Sequence, residues 1–171
     1  MDAKPKAEKI LRELNFDFHA FTIEKFIGYV GDKKGRSIIV APWKMPATMF
    51  GAWLSDGEEP KEYIFYRDNV PLLLQIHIQL HELAHLLLGH PTLQITRQLI
   101  SKGFQGEKSL RFEALVRLRS PDKTELETEA ETLATIIQER VIRYSQLDQL
   151  THDISSEEKI ANFLRTMGLT S

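Results

Sequence analysis

The chain has 171 residues, 42% of them apolar and 27% charged, with a formal net charge of −2. That length fits one domain, and the near-neutral balance implies no general attraction to nucleic acid or to an anionic membrane surface. There is no cysteine, which excludes disulfides and thiolate metal sites, so any metal must be held by His, Asp, Glu and water.

Met1-Asp2-Ala3-Lys4-Pro5 lacks the apolar core of a signal peptide. No run reaches the roughly 18 consecutive apolar residues of a membrane span, Leu72–Leu88 coming nearest, so the expectation is a cytoplasmic protein that does not engage a membrane. Ile10, Leu11 and Leu14 recur at helical spacing within 3–14. Thr22 can cap a second short helix, Ile23 to Val30, closed by Gly31. Ser37-Ile38-Ile39-Val40 is a β-branched strand, Met49 to Leu54 a second with Gly51 at a bulge, and Glu62 to Tyr66 a third, rich in aromatics. Ser55-Asp56-Gly57-Glu58-Glu59-Pro60 is the turn between the last two. Asp68 or Asn69, with Pro71 in the first turn, opens an almost wholly apolar helix over Leu72 to Leu88 that Gly89 stops.

Beyond Pro91 the pattern is helical. Thr92 to Lys102 and Glu107 to Arg119 are amphipathic, with a hinge expected over Gly103 to Gly106. Thr124-Glu125-Leu126-Glu127 forms a capping box that opens a long helix toward Leu150, and Ser155-Ser156-Glu157-Glu158 opens a last one that ends at Gly168. The expected fold is α+β and mostly helical, with a small three-stranded, mainly antiparallel sheet packed beside the apolar helix. One domain spans 1–171, with a core over about 20–140 and a C-terminal helical extension over about 141–171.

The apolar helix carries the chemistry. His81-Glu82-Leu83-Ala84-His85 is an H-E-x-x-H motif, and residues four apart share one helix face, so His81 and His85 can grip one metal ion from the same side. Glu82 lies one step around, within reach of a water on that metal, as in zinc hydrolases. On a buried helix these polar groups each cost about 1–3 kcal/mol if unpaired, and a metal would satisfy them together. A catalytic zinc needs a third protein ligand and one open position. His90 falls at the wrong offset for the metzincin pattern and follows a helix-ending glycine. The later helix offers Glu125, Glu127, Glu129 and Glu131 at every second residue. Glu129 sits nearest its apolar side, Glu125 lies one turn earlier, and Glu127 and Glu131 point toward solvent, where the helix dipole favours acidic residues anyway.

Taken together, His81-Glu82-Leu83-Ala84-His85-Leu86-Leu87-Leu88-Gly89-His90 and Glu127-Thr128-Glu129-Ala130-Glu131-Thr132-Leu133-Ala134 resemble the paired motifs of the ImmA/IrrE family of zinc metallopeptidases. The resemblance covers roughly residues 20–140. It departs at Glu131, where the family has Asn or Asp, at Leu133, where it has Phe, and in a long connection between the motifs. It implies one Zn2+ per chain, with Mn2+ or Fe2+ as alternatives in the cell, held by His81, His85 and Glu129. It further implies Glu82 as catalytic base, and a helix-turn-helix transcriptional repressor as the protein substrate, cleaved under stress.

Glu125 and His90 are candidates to orient a ligand histidine or stabilise an oxyanion, as are Tyr63 and Tyr66. A substrate strand could add to the sheet edge at Phe50–Leu54, although Phe50 and Trp53 also suit a core. The competing function is a metal-containing regulatory protein that binds a partner or DNA without cleaving it, through the basic run Arg97, Lys102, Lys108, Arg111, Arg117, Arg119 and Lys123. No recognised nucleic-acid motif accompanies that run, so direct nucleic-acid binding is not expected.

Overall fold

The computed structural model describes residues 3–45, 47–96 and 124–155, the last four of these in backbone only. The fold is α+β. Among the described residues, helix α1 (Ala3–Leu14) and helix α2 (Ile23–Lys34) precede strands β1 (Ser37–Pro42), β2 (Gly51–Asp56) and β3 (Lys61–Tyr66). Helix α3 (Leu72–Leu88), a short strand β4 (Leu93–Ile95) and a long helix α4 (Thr124–Ser155) follow. None of these helices is long and apolar enough to cross a membrane.

The sheet has four strands in the order β1-β3-β2-β4, and it is mixed. β2 pairs antiparallel with β3, as the turn between them requires, with Trp53 opposite Ile64. β1 runs parallel to β3, and β4 parallel to β2. The expected three-stranded antiparallel sheet is therefore corrected on two counts. The first strand crosses over to pair parallel, and Leu93–Ile95, expected to open a helix, instead adds a fourth strand. Three residues are too few for periodicity to separate strand from helix. β4 also removes β2 from the edge: it covers Leu54 to Asp56, and the Thr92 hydroxyl donates to the Trp53 carbonyl at 2.7 Å.

Alternation along the strands divides the core. Trp53 and Ile64 face the helices, where they join Leu11, Phe26, Val30, Leu80, Leu83, Leu133 and Ile137 in the main cluster. Ala52, Leu54, Tyr63 and Phe65 face the other way and pack with Ile95. Trp53 is buried as a core residue, whereas Phe50 stands half exposed beneath the Arg67 guanidinium, 4.8 Å from its ring centre. The buried carboxylate of Glu62 in β3 is partnered from three sides. It accepts from Trp53 Nε1 at 2.7 Å and Ser55 Oγ at 3.1 Å, and it pairs with Arg36. Arg36 also donates to the carbonyls of Glu59 and Lys61, which ties the entry of β1 to the β2–β3 turn.

Helix boundaries follow local chemistry. Thr22 caps α2 as expected, accepting from Lys25 N at 3.2 Å, but the helix runs past Gly31 to a left-handed Gly35. Gly31 is instead a packing position: a Cβ there would sit 2.7 Å from the Arg36 carbonyl. At the start of α3, Pro71 takes the capping position without any side-chain cap, displacing the expected Asp68 or Asn69. The Gln75 side chain reaches back to the Asp68 and Val70 carbonyls, both at 2.9 Å. α4 continues through Ser155, so that residue is helical rather than a cap. The expected helix Glu107 to Arg119, the hinge Gly103 to Gly106, the basic run from Arg97 to Lys123 and the helix ending at Gly168 lie outside the described residues.

α4 is the spine onto which α1 and α3 pack. α1 is clamped to it by Arg140 on Glu8 at 2.5 Å and by Lys6 on Glu129 at 2.6 Å. The loop before α2 docks farther along, where Asp148 accepts from Ala20 N at 2.9 Å and meets His19.

Two helical glycines give a direct test of this packing. Gly31→Ala should lower stability by about 1–3 kcal/mol, the usual cost of overpacking. Gly28→Ala faces open space and should be neutral or stabilising by roughly 0.5–1 kcal/mol. Urea-denaturation midpoints compare the two; equal midpoints would contradict the close approach at Gly31.

Candidate metal centre

The site lies where α3 meets α4. His77, His81 and His85 recur every fourth residue on α3 and form one stripe. Opposite them α4 presents a buried apolar face of Ala130, Leu133, Ala134 and Ile137. At about 100° per residue, Glu127 falls roughly 70° to one side of that face, with Glu131 beyond it, and Glu129 roughly 90° to the other. The alternating acids thus straddle the contact.

Three donors converge. His81 Nε2 and His85 Nε2 are 3.1 Å apart, and Glu127 Oε2 lies 3.2 Å from the first and 3.5 Å from the second. Ligands about 2.0–2.1 Å from a tetrahedral ion are spaced by roughly 3.3 Å, so the three atoms already stand like three corners of such a shell. His81, His85 and Glu127 could hold a metal ion, and they are the only such group among the described residues. Glu82, from the same motif, is 6% exposed. It lies against the start of β2, where a Cβ on Gly51 would sit 2.8 Å from its Oε1. Gly51 is therefore no bulge; its missing side chain makes room for this carboxylate.

Glu129 does not join the imidazole pair. Its Oε2 accepts from Lys6 Nζ at 2.6 Å and lies 3.0 Å from His90 Nε2. The family resemblance placed the third ligand on Glu129; in this structure it is Glu127, and not Glu129, that groups with His81 and His85. Glu129 is indeed the buried acid, but its burial is explained by a lysine and a histidine. Glu125 is exposed in the first turn of α4 and forms no part of the group. Glu131, read as solvated, bridges two histidines: it lies 3.1 Å from His77 Nε2 and 3.1 Å from His81 Nδ1. His77, which the motif omits, also meets Gln138 at 2.8 Å. The signal for His77 and Glu131 was their spacing, one helical turn before His81 and one after Glu127. Tyr63 is turned to the far face of the sheet, where its hydroxyl meets Asp56, so it is removed from the site.

His90 is brought back by its glycine. Gly89 adopts φ 69° and ends α3, while His90 N donates to the His85 carbonyl at 3.0 Å. This left-handed turn sets His90 Nδ1 2.8 Å from His85 Nδ1.

The electrostatics follow these contacts. The imidazoles of His81 and then His85 beside it hold the Glu127 carboxyl well below the usual carboxylate range. Burial pushes His81 down, but its bond to Glu127, the Glu82 charge and the bond to Glu131 outweigh it, so its pKa is raised. Burial drives His90 the other way, with the His85 and Lys6 charges adding to the effect. The Lys6 bond keeps Glu129 ionised despite its burial. The cluster is open on one side: the His81 side chain is 20% exposed and that of His85 4%. A cleft of about 650 Å³ beside His81 is lined by Lys4, Glu127, Thr128, Glu131 and Thr132.

Comparison with protein-family models, with curated proteins and with solved structures finds no match to this chain.

Glu127→Ala should strip metal from the purified protein, and Glu125→Ala should leave metal content unchanged; elemental analysis distinguishes them. Protons compete with a metal for His81. Because its pKa lies above 6.5, divalent-cation affinity should begin to fall at a pH above that value and keep falling as pH drops. Calorimetric titration over that range checks the sign, and an affinity that does not change with pH would contradict it.

Proposed function

We propose that this chain is a metal-dependent endopeptidase of the ImmA/IrrE type, with zinc as its metal. The observation that carries the reading is the spacing of His81 Nε2, His85 Nε2 and Glu127 Oε2, three donors of mutually suitable separation, with Glu82 next in sequence to one of them. Two imidazoles and one carboxylate form the donor set of a catalytic zinc site, which keeps a position open, whereas structural sites fill four protein ligands. The third ligand is then the first glutamate of the Glu127-Thr128-Glu129-Ala130 motif.

Zinc bound there would supply a water acidified toward neutrality and a polarised substrate carbonyl. The chain's own residues do the rest. Glu82, buried and confined by Gly51, takes a proton from the attacking water and delivers it to the leaving amine. Glu131 accepts from His81 Nδ1, which leaves Nε2 with its lone pair for the metal and holds the ring in place. Substrate enters from the open flank at His81 rather than through the apolar core. The substrate class, a helix-turn-helix repressor, rests on the family resemblance alone.

Glu82→Gln tests the base. It should keep metal content and thermal midpoint while cleavage of a protein substrate falls by about 10²–10⁴-fold. Cleavage at the wild-type rate in the metal-loaded variant would remove Glu82 from that role.

A further inference from the structure

His85 is the most enclosed of the three proposed ligands, and its second nitrogen leads away from the cleft into a chain of polar groups. His85 Nδ1 lies 2.8 Å from His90 Nδ1, His90 Nε2 lies 3.0 Å from Glu129 Oε2, and that oxygen accepts from Lys6 Nζ at 2.6 Å. His85, His90 and Glu129 are 3%, 6% and 6% exposed. The chain crosses three elements, from α3 through the turn at Gly89 and across α4 to α1.

We propose that His90, Glu129 and Lys6 act as a positioning chain that fixes which nitrogen of His85 faces the metal. The proposal rests on the metal-centre reading above and deepens it. An ionised carboxylate only accepts hydrogen bonds. Facing Glu129, His90 Nε2 must carry the proton. A neutral imidazole with its proton on Nε2 has a lone pair on Nδ1. Facing that lone pair, His85 Nδ1 must in turn be the donor. The remaining nitrogen, His85 Nε2, keeps its lone pair, and it is the atom that stands 3.1 Å from His81 Nε2 and 3.5 Å from Glu127 Oε2. Each assignment follows from the one before it, and the sequence starts at Lys6.

The chain also gives Glu129 a function as a positioning residue rather than a ligand. His81 and His85 are then oriented by separate acids of α4, His81 directly by Glu131 and His85 through His90 by Glu129. Ring-nitrogen partners of this kind typically matter by about 10–100-fold in metal affinity.

Substitutions at His90 separate this role from simple packing. His90→Phe fills the space but offers no acceptor to His85. His90→Asn places an amide oxygen near the former position of Nδ1. Zinc affinity of the full chain, measured by competition with a chromophoric chelator, should fall about 10–100-fold in His90→Phe and be largely restored in His90→Asn. Nitrogen NMR of the metal-free wild type, at a pH where the imidazoles are neutral, should show His85 protonated on Nδ1. In His90→Phe it should show a mixture of tautomers. A wild type that binds zinc with His85 protonated on Nε2 overturns the chain and leaves the metal centre standing. Unchanged zinc affinity in folded His90→Phe does the same. A wild type that binds no zinc removes the metal centre, and the NMR assignment of His85 then decides the chain alone. If His90→Phe does not fold, Glu129→Leu, which offers His90 Nε2 no acceptor, carries the same test with the wild-type spectrum.

Discussion

Among the described residues the fold is arranged around one contact, the packing of α3 against α4. Beyond an exposed first turn, Leu72 to Leu74, α3 is enclosed by the sheet on one side and by α4 on the other. Yet it carries three histidines and a glutamate into that enclosure. Polar atoms removed from water need partners. α4 supplies most of them, from carboxylates on both flanks of a small-residue face. Ala130 and Ala134, fully buried between those flanks, let the two backbones approach closely enough for side chains as short as glutamate to reach the imidazoles.

The remainder of the fold can be understood as support for that contact. α1 lies along α4 and contributes Lys6, the cation that keeps Glu129 charged. β2 presents a residue without a side chain where Glu82 would otherwise collide. The left-handed Gly89 ends α3 and in the same turn returns His90 to it. The ion pair of Arg36 with the buried Glu62 joins the entry of β1 to β2 and β3. Each of these features fixes a side chain of the site or an element that carries one.

Much of this was legible in the sequence because it is periodic or punctuated. The H-E-x-x-H spacing, the apolar run around it and Gly89 gave α3 and two proposed ligands to the residue. Three strands and the mostly helical α+β class followed from composition and turns. The parallel return of β1 did not, since pairing direction depends on how the chain crosses space and not on local pattern. β4 was too short to show a period. The choice between Glu127 and Glu129 turned on a different issue: burial does not identify a metal ligand. Glu129 is the more buried, because Lys6 and His90 satisfy it. Glu127 remains substantially exposed because the site it serves opens to solvent. By the ~100° helical step both acids lie about equally near the apolar face of Ala130, Leu133, Ala134 and Ile137, so angle alone does not choose between them.

The alternation of acids along α4 has a consequence for how that helix can dock. Between Glu129 and Glu131 stands Ala130, fully buried on the face that α4 turns toward α3. Slipping the helix by a single position in either direction would drive a carboxylate into that dry slot and set Leu126 or Thr128 against the imidazoles. Both errors are costly and both occur at once, so the very residues that would clasp the ion also forbid α4 from settling one notch away.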